Sequence, residues 1–164
     1  MEFVLFIIVA QVLTLLHELG HAIGALVTSE KEVLVVLGRT RKDSMKEVFS
    51  IGRLKIKLGL FSPVTGFTHI EMSNLSRAQL MAFYFGGPLM SLSLTFILFV
   101  VNQQLINSEV HKIIRFASVY ALIQFFITAL PIRYPDFWGD YGNLESDGLS
   151  ILKLFRKNSN VDID

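Results

Sequence analysis

The chain contains no cysteine. That excludes disulfides, thiolate metal sites and cysteine nucleophiles together. It also carries no excess charge: 15 Lys and Arg against 14 Asp and Glu leave a net charge of +1. Nothing in that balance points to a nucleic-acid partner. No internal repeat or low-complexity tract is visible, and 164 residues suit a single domain, 1–164. The first apolar run lacks a basic leader and a small-residue cleavage site; Glu2 is its only early charge. It therefore reads as a retained spanning helix and not as a secretory signal.

What the chain has is apolar surface. Hydrophobic residues make up 52%, mean hydropathy is +0.52, and Phe alone accounts for 14 positions. A soluble domain has about 45–50% apolar residues even with glycine counted. Three segments are long and apolar enough to cross a bilayer, which needs roughly 20 residues: about 3–27, 79–101 and 113–132. Between the first two the texture changes. In "RLKIKLGL", Leu54, Ile56, Leu58 and Leu60 alternate with Arg53, Lys55 and Lys57. This is the period of a half-buried strand. "EVLVVLG" and "FTHIEM" also read as strands, and Gly38, Gly52, Pro63 and Gly66 punctuate them. The expected fold is mainly α and integral to a membrane. It has about three spanning helices, and a small antiparallel sheet at 32–72 on one membrane face.

Charge sets the expected orientation. Eight basic residues lie between the first two spans: Lys31, Arg39, Arg41, Lys42, Lys46, Arg53, Lys55 and Lys57. The connection at 102–112 holds only Lys112, and the tail at 133–164 holds Arg133, Lys153, Arg156 and Lys157. The positive-inside rule places the N-terminus outside, with the sheet and the C-terminal tail in the cytoplasm of a plasma-membrane protein.

The first span carries "LLHELGHAIGALV", residues Leu15–Val27. Charged groups near the centre of a spanning helix cost about 2.5–3.5 kcal/mol on insertion scales. His17, Glu18 and His21 form the pattern H-E-x-x-H. Its two histidines project from one helical face one turn apart, a spacing that lets both hold one Zn²⁺, with the glutamate placed to accept a proton from water. A catalytic zinc site takes a third protein ligand and keeps one position open. Candidates for that ligand are His69, His111, Asp136, Asp140, Glu145 and Asp147. Asp147 stands out because Asp147 and Gly148 precede the apolar stretch 149–155, although Asp-Gly is also an ordinary turn or helix start.

In these motifs the chain resembles the site-2 protease family of intramembrane zinc metalloproteases. "HELGHA" (residues 17–22) lies in the first span, "GGPLMS" (86–91) in the second and "LPI" (130–132) at the end of the third, with "SDG" (146–148) following. The family's core is three spans with this motif order, so the resemblance covers essentially the whole chain. It implies that His17, His21 and Asp147 bind one zinc ion and that Glu18 is the general base. It also implies a β element beside the site and a membrane-anchored protein or peptide as substrate. Regulation is then expected from partner proteins or from the bilayer. Two positions depart from the family's pattern: Ser91 and Thr128 stand where asparagines are usual. "RYPDFWGDYGNLE" also separates Pro131 from the Asp-Gly pair, which keeps Asp136 and Asp140 open as ligands. The competing reading is a non-proteolytic zinc-binding scaffold or accessory subunit, against which the intact Glu18 argues. A zinc carrier would want more polar residues along the spans than the chain supplies.

Overall fold

The computed structural model describes residues 2–39, 46–106 and 108–159. Arg41 and Lys42 of the charge asymmetry lie outside these residues, as do the last five of the tail. The chain begins with helix α1 (Glu2–Thr28) and continues through strands β1 (Val33–Leu37), β2 (Lys46–Ile51), β3 (Leu54–Leu58) and β4 (Gly66–Ile70). Helices α2 (Arg77–Gln103) and α3 (Ser108–Ala129) follow, then a 3₁₀ turn (Gly139–Tyr141) and helix α4 (Asp147–Ser159). Three helices, α1, α2 and α3, are long and apolar enough to cross a membrane. In α2 and α3 only 17% of the most apolar window is buried within the chain, so side chains such as Phe96, Phe99 and Phe126 form an outward apolar surface.

The helix ends follow from local chemistry. Ser76 caps α2 reciprocally with Gln79: the Gln79 amide donates to Ser76 Oγ at 3.3 Å, and the Ser76 amide donates to Gln79 Oε1 at 2.8 Å. The Gln79 side chain also donates to the Thr28 carbonyl at the end of α1. Arg53 reaches the same end and donates to the carbonyls of Leu26 and Ser29, which the helix itself leaves unpaired. The third helix spans Ser108–Ala129, not 113–132 as the hydropathy implied. Pro131 disfavours helical backbone at Leu130, so the helix stops ahead of it.

The sheet differs from the expected antiparallel one. Its order is β2-β3-β1-β4, with β1 parallel to β3 and antiparallel to β4. Strand β2, unread in the sequence, accounts for the difference, because one extra antiparallel run between β1 and β3 reverses the direction of β3. The turn joining β2 to β3 begins at Gly52, whose φ is +53°. A two-residue hairpin with glycine first favours that conformation. Val33 and Val35 of β1 pack on Ala22 and Ala25 of α1 and Phe83 of α2, and this core fastens the sheet to the helices. Leu13 packs against Ala117 and Ala121 to join α1 to α3.

Glycines bring α1 and α2 into backbone contact. A Cβ on Gly20 would lie 2.3 Å from the Gly86 carbonyl oxygen, and one on Gly86 would lie 2.2 Å from that of Gly20. Only hydrogen fits on either side. Gly20→Ala and Gly86→Ala should each lower stability by about 1–3 kcal/mol, the usual cost of overpacking. The double variant should fall short of the sum because both changes open one contact. Thermal midpoints in detergent measure this, and midpoints equal to that of the parent would refute the close contact.

Candidate metal centre

His17 and His21 face the same way from α1, one turn apart, and are only 3% and 5% exposed. Their Nε2 atoms lie 3.3 Å apart. Asp147, at the start of α4, places Oδ2 at 3.7 Å from His17 Nε2 and 3.4 Å from His21 Nε2. The three atoms form a nearly equilateral triangle. A tetrahedral ion with ligand bonds of about 2.0–2.1 Å holds its ligand atoms about 3.3–3.4 Å apart. The donor set therefore fits one metal ion, and this is the group that could hold one among the described residues.

The other ring nitrogens fix how the imidazoles point. His21 Nδ1 lies 2.7 Å from the Phe83 carbonyl oxygen. A carbonyl can only accept, so Nδ1 carries a proton and donates to it, which fixes the ring and leaves Nε2 as the nitrogen that faces Asp147. His17 Nδ1 lies 2.8 Å from Ser91 Oγ, which is fully buried. The neighbouring Gly87 makes room, since a Cβ there would sit 2.2 Å from His21 Nε2.

Asp147 is positioned by the residue before it. Ser146 Oγ accepts from the Leu149 amide at 3.1 Å, as an N-cap does, and donates to the Leu130 carbonyl at 2.6 Å. The Ser146 amide donates to the Ile132 carbonyl at 3.0 Å. The segments "LPI" and "SDG" are thus bonded to each other although 13 residues separate them. Gly148 allows this closeness, because its Cβ would lie 1.9 Å from the Ala129 carbonyl oxygen. Burial acts to raise the Asp147 carboxyl, and the two facing imidazoles outweigh it and hold it down at about 2. The group is a carboxylate at neutral pH, as a ligand must be.

Glu18 is buried beside this triangle. The Thr68 hydroxyl lies 2.7 Å from Glu18 Oε2 and 2.9 Å from the Glu18 carbonyl oxygen. Gly66, two residues earlier on β4, leaves space for the glutamate, since a Cβ there would meet Glu18 Cγ at 2.7 Å. The triangle and Glu18 share a cleft of about 750 Å3. All four tyrosines and the single tryptophan of the chain also line it: Tyr84, Tyr120, Tyr134, Tyr141 and Trp138. Burial, helped by the nearby Glu18 carboxylate, pushes the Tyr141 phenol above its ordinary range, so its hydroxyl keeps its proton.

Of the expected ligands, the structure brings together His17, His21 and Asp147, with Glu18 beside them. Asp140 instead pairs with Arg39 at 3.3 Å, and Asp136 lies exposed on the same loop. Glu145 pairs with Arg133 and Lys153. His69 is exposed on β4, and His111 lies on α3 outside the group. Ser91, which the sequence marked only as a departure, bonds a candidate ligand. Thr128 also lines the cleft, but its hydroxyl donates back to the Gln124 carbonyl of its own helix. Thr68 and Tyr141 carried no sequence signal for the site, Gly66 read only as punctuation between strands, and Gly87 entered only as part of "GGPLMS". The chain matches no model of a known protein family, no curated protein and no solved structure.

Partners of a histidine's second nitrogen typically contribute 10- to 100-fold in metal affinity. With Zn²⁺ as the probe ion, Ser91→Ala should therefore weaken metal binding by about 10- to 100-fold in a chelator competition, while Thr128→Ala leaves it unchanged. Equal affinities for all three proteins would make the Ser91 contact mere packing.

Proposed function

We propose that the chain is an intramembrane zinc metalloprotease of the site-2 protease type, hydrolysing peptide bonds in or near the spanning segments of membrane-anchored proteins. One observation carries the reading: an imidazole–imidazole–carboxylate triangle of ion-binding size, with a buried glutamate beside it, among three helices long enough to cross a membrane. His17, His21 and Asp147 would hold the ion. The chemistry zinc supplies when bound is Lewis acidity toward a peptide carbonyl and a water molecule.

The chain's own residues do the rest. Glu18 accepts the proton of the attacking water and passes it to the leaving amine nitrogen. Thr68 holds the Glu18 carboxylate through one oxygen and leaves the other for that exchange. A helical substrate hides its carbonyls in hydrogen bonds, so it must unwind before it is cut. β4 is an edge strand beside Glu18, and an extended peptide can pair along its main chain. In the bilayer, α1, α2 and α3 are the spans. The N-terminus lies outside, and the sheet and α4 lie on the cytoplasmic side of the plasma membrane. Regulation comes from membrane partners or the bilayer. The scaffold reading has no observation of its own in the structure.

Zinc content of protein purified in detergent tests the site. Wild type should carry close to one ion per chain, and His17→Ala and Asp147→Ala should each carry far less. Glu18→Gln should keep the ion. In cells co-expressing a panel of single-span reporter proteins, Glu18→Gln should cut at least about 100-fold more slowly than wild type, the low end of what a general base contributes. Zinc that persists in His17→Ala, or reporter cleavage that survives Glu18→Gln, would overturn the proposal.

A further inference from the structure

The stretch 133–145, between α3 and α4, forms a closed loop. The Tyr134 amide donates to the Leu144 carbonyl at 2.9 Å, and the Asn143 amide donates to the Tyr134 carbonyl at 3.0 Å. Arg133 and Glu145 pair across its base. From that base the loop reaches over to the sheet at two points. Asp140 meets Arg39 just after β1, and Tyr141 meets β4.

The Tyr141 contact falls on a particular set of atoms. The Gly38 amide donates to the Thr65 carbonyl at 2.7 Å. In an antiparallel pair this alternates, so residues 65, 67 and 69 bond to β1 while Gly66, Thr68 and Ile70 turn their main-chain groups to the open edge. At Gly66 both groups are taken by one side chain. Its amide donates to Tyr141 Oη at 2.9 Å, and that hydroxyl lies 3.0 Å from the Gly66 carbonyl oxygen. The phenol thus supplies one acceptor and one donor, as a residue of an added strand would. It does so at the position of β4 packed on Glu18 Cγ. The ring rests on Phe67 at 5.1 Å, and its other neighbour, Tyr134, stacks on Trp138.

We propose that the loop 133–145 is a strap that occupies the Gly66 position of the β4 edge in place of a peptide strand and so gates the cleft. Release of Tyr141 and of the Arg39–Asp140 latch frees Gly66, and an extended peptide then pairs along Gly66, Thr68 and Ile70. The peptide in question is the substrate of the proposed reaction, so the inference rests on that reading, but the gating can be measured without catalysis.

Because the chain lacks cysteine, one introduced thiol reports on the cleft. Ile127 lines it from α3. Reaction of Ile127→Cys with a charged methanethiosulfonate reagent in detergent is measured alone and with Tyr141→Phe or Asp140→Asn added. Loss of the hydroxyl's bonds should speed labelling roughly 10-fold, and loss of the exposed latch roughly 2-fold. The emission of Trp138 should move to longer wavelength in the Tyr141→Phe protein as its stack opens to water. Zinc content should stay at the parent level. Labelling at the parent rate in both double variants overturns the strap. So does faster labelling accompanied by loss of zinc, which would make the loop a structural brace for Asp147. Failure of reporter cleavage with labelling still accelerated would remove the protease reading and leave a gated binding cleft.

Discussion

Two imidazoles and the Glu18 carboxyl group are buried in a helix whose other inward residues are small or aliphatic, and each imidazole is held by a partner at Nδ1. Phe83 supplies a carbonyl and Ser91 a hydroxyl. Both partners lie on α2, so the rings are oriented only if α2 stays pressed against α1. Gly20 and Gly86 permit that approach, and Gly87 leaves the volume that the His21 ring fills. An unpaired polar group in hydrocarbon costs several kcal/mol. Separation of the two helices would therefore expose the backbone contact and orphan both imidazoles at once. The stability of the bundle and the geometry of the triangle thus depend on the same contact.

The third corner of the triangle arrives by another route. Asp147 is far along the chain, and the loop before it is long. Ser146 nevertheless bonds to Leu130 and Ile132, so the start of α4 is fixed at the end of α3 however the intervening residues run. The loop is then free to take on other contacts, and it does so at the sheet edge. Sheet, strap and triangle meet around Glu18, held by Thr68 and given room by Gly66. A device that gates this cleft from within would make regulation partly a property of the chain itself, in addition to any partner.

Much of this was legible in the sequence. The three long helices follow from hydropathy. H-E-x-x-H needs only the helical period to put both histidines on one face, whereas the residues alone left the third corner open among several acidic side chains and only the resemblance pointed to "SDG". The mixed sheet was not legible. "KEVFSI" is short and mixed in character, and without it the remaining strands read as a meander where the structure has a crossover. The partners of the imidazoles were hidden for a different reason. A backbone carbonyl has no residue signature, and Ser91 gains its meaning only from a helix 74 residues away in sequence. Tyr141 is likewise one aromatic in a loop until the fold places Gly66 beneath it.

The central claim is that two imidazoles and one carboxylate bind a single zinc ion. X-ray absorption at the zinc edge, on protein purified in detergent, addresses it directly. The account predicts two imidazole scatterers and oxygen ligands at about 2.0–2.1 Å in a four-coordinate shell, with one oxygen contribution changed in Asp147→Asn. A six-coordinate shell of oxygen alone, or one with a single imidazole, would contradict it.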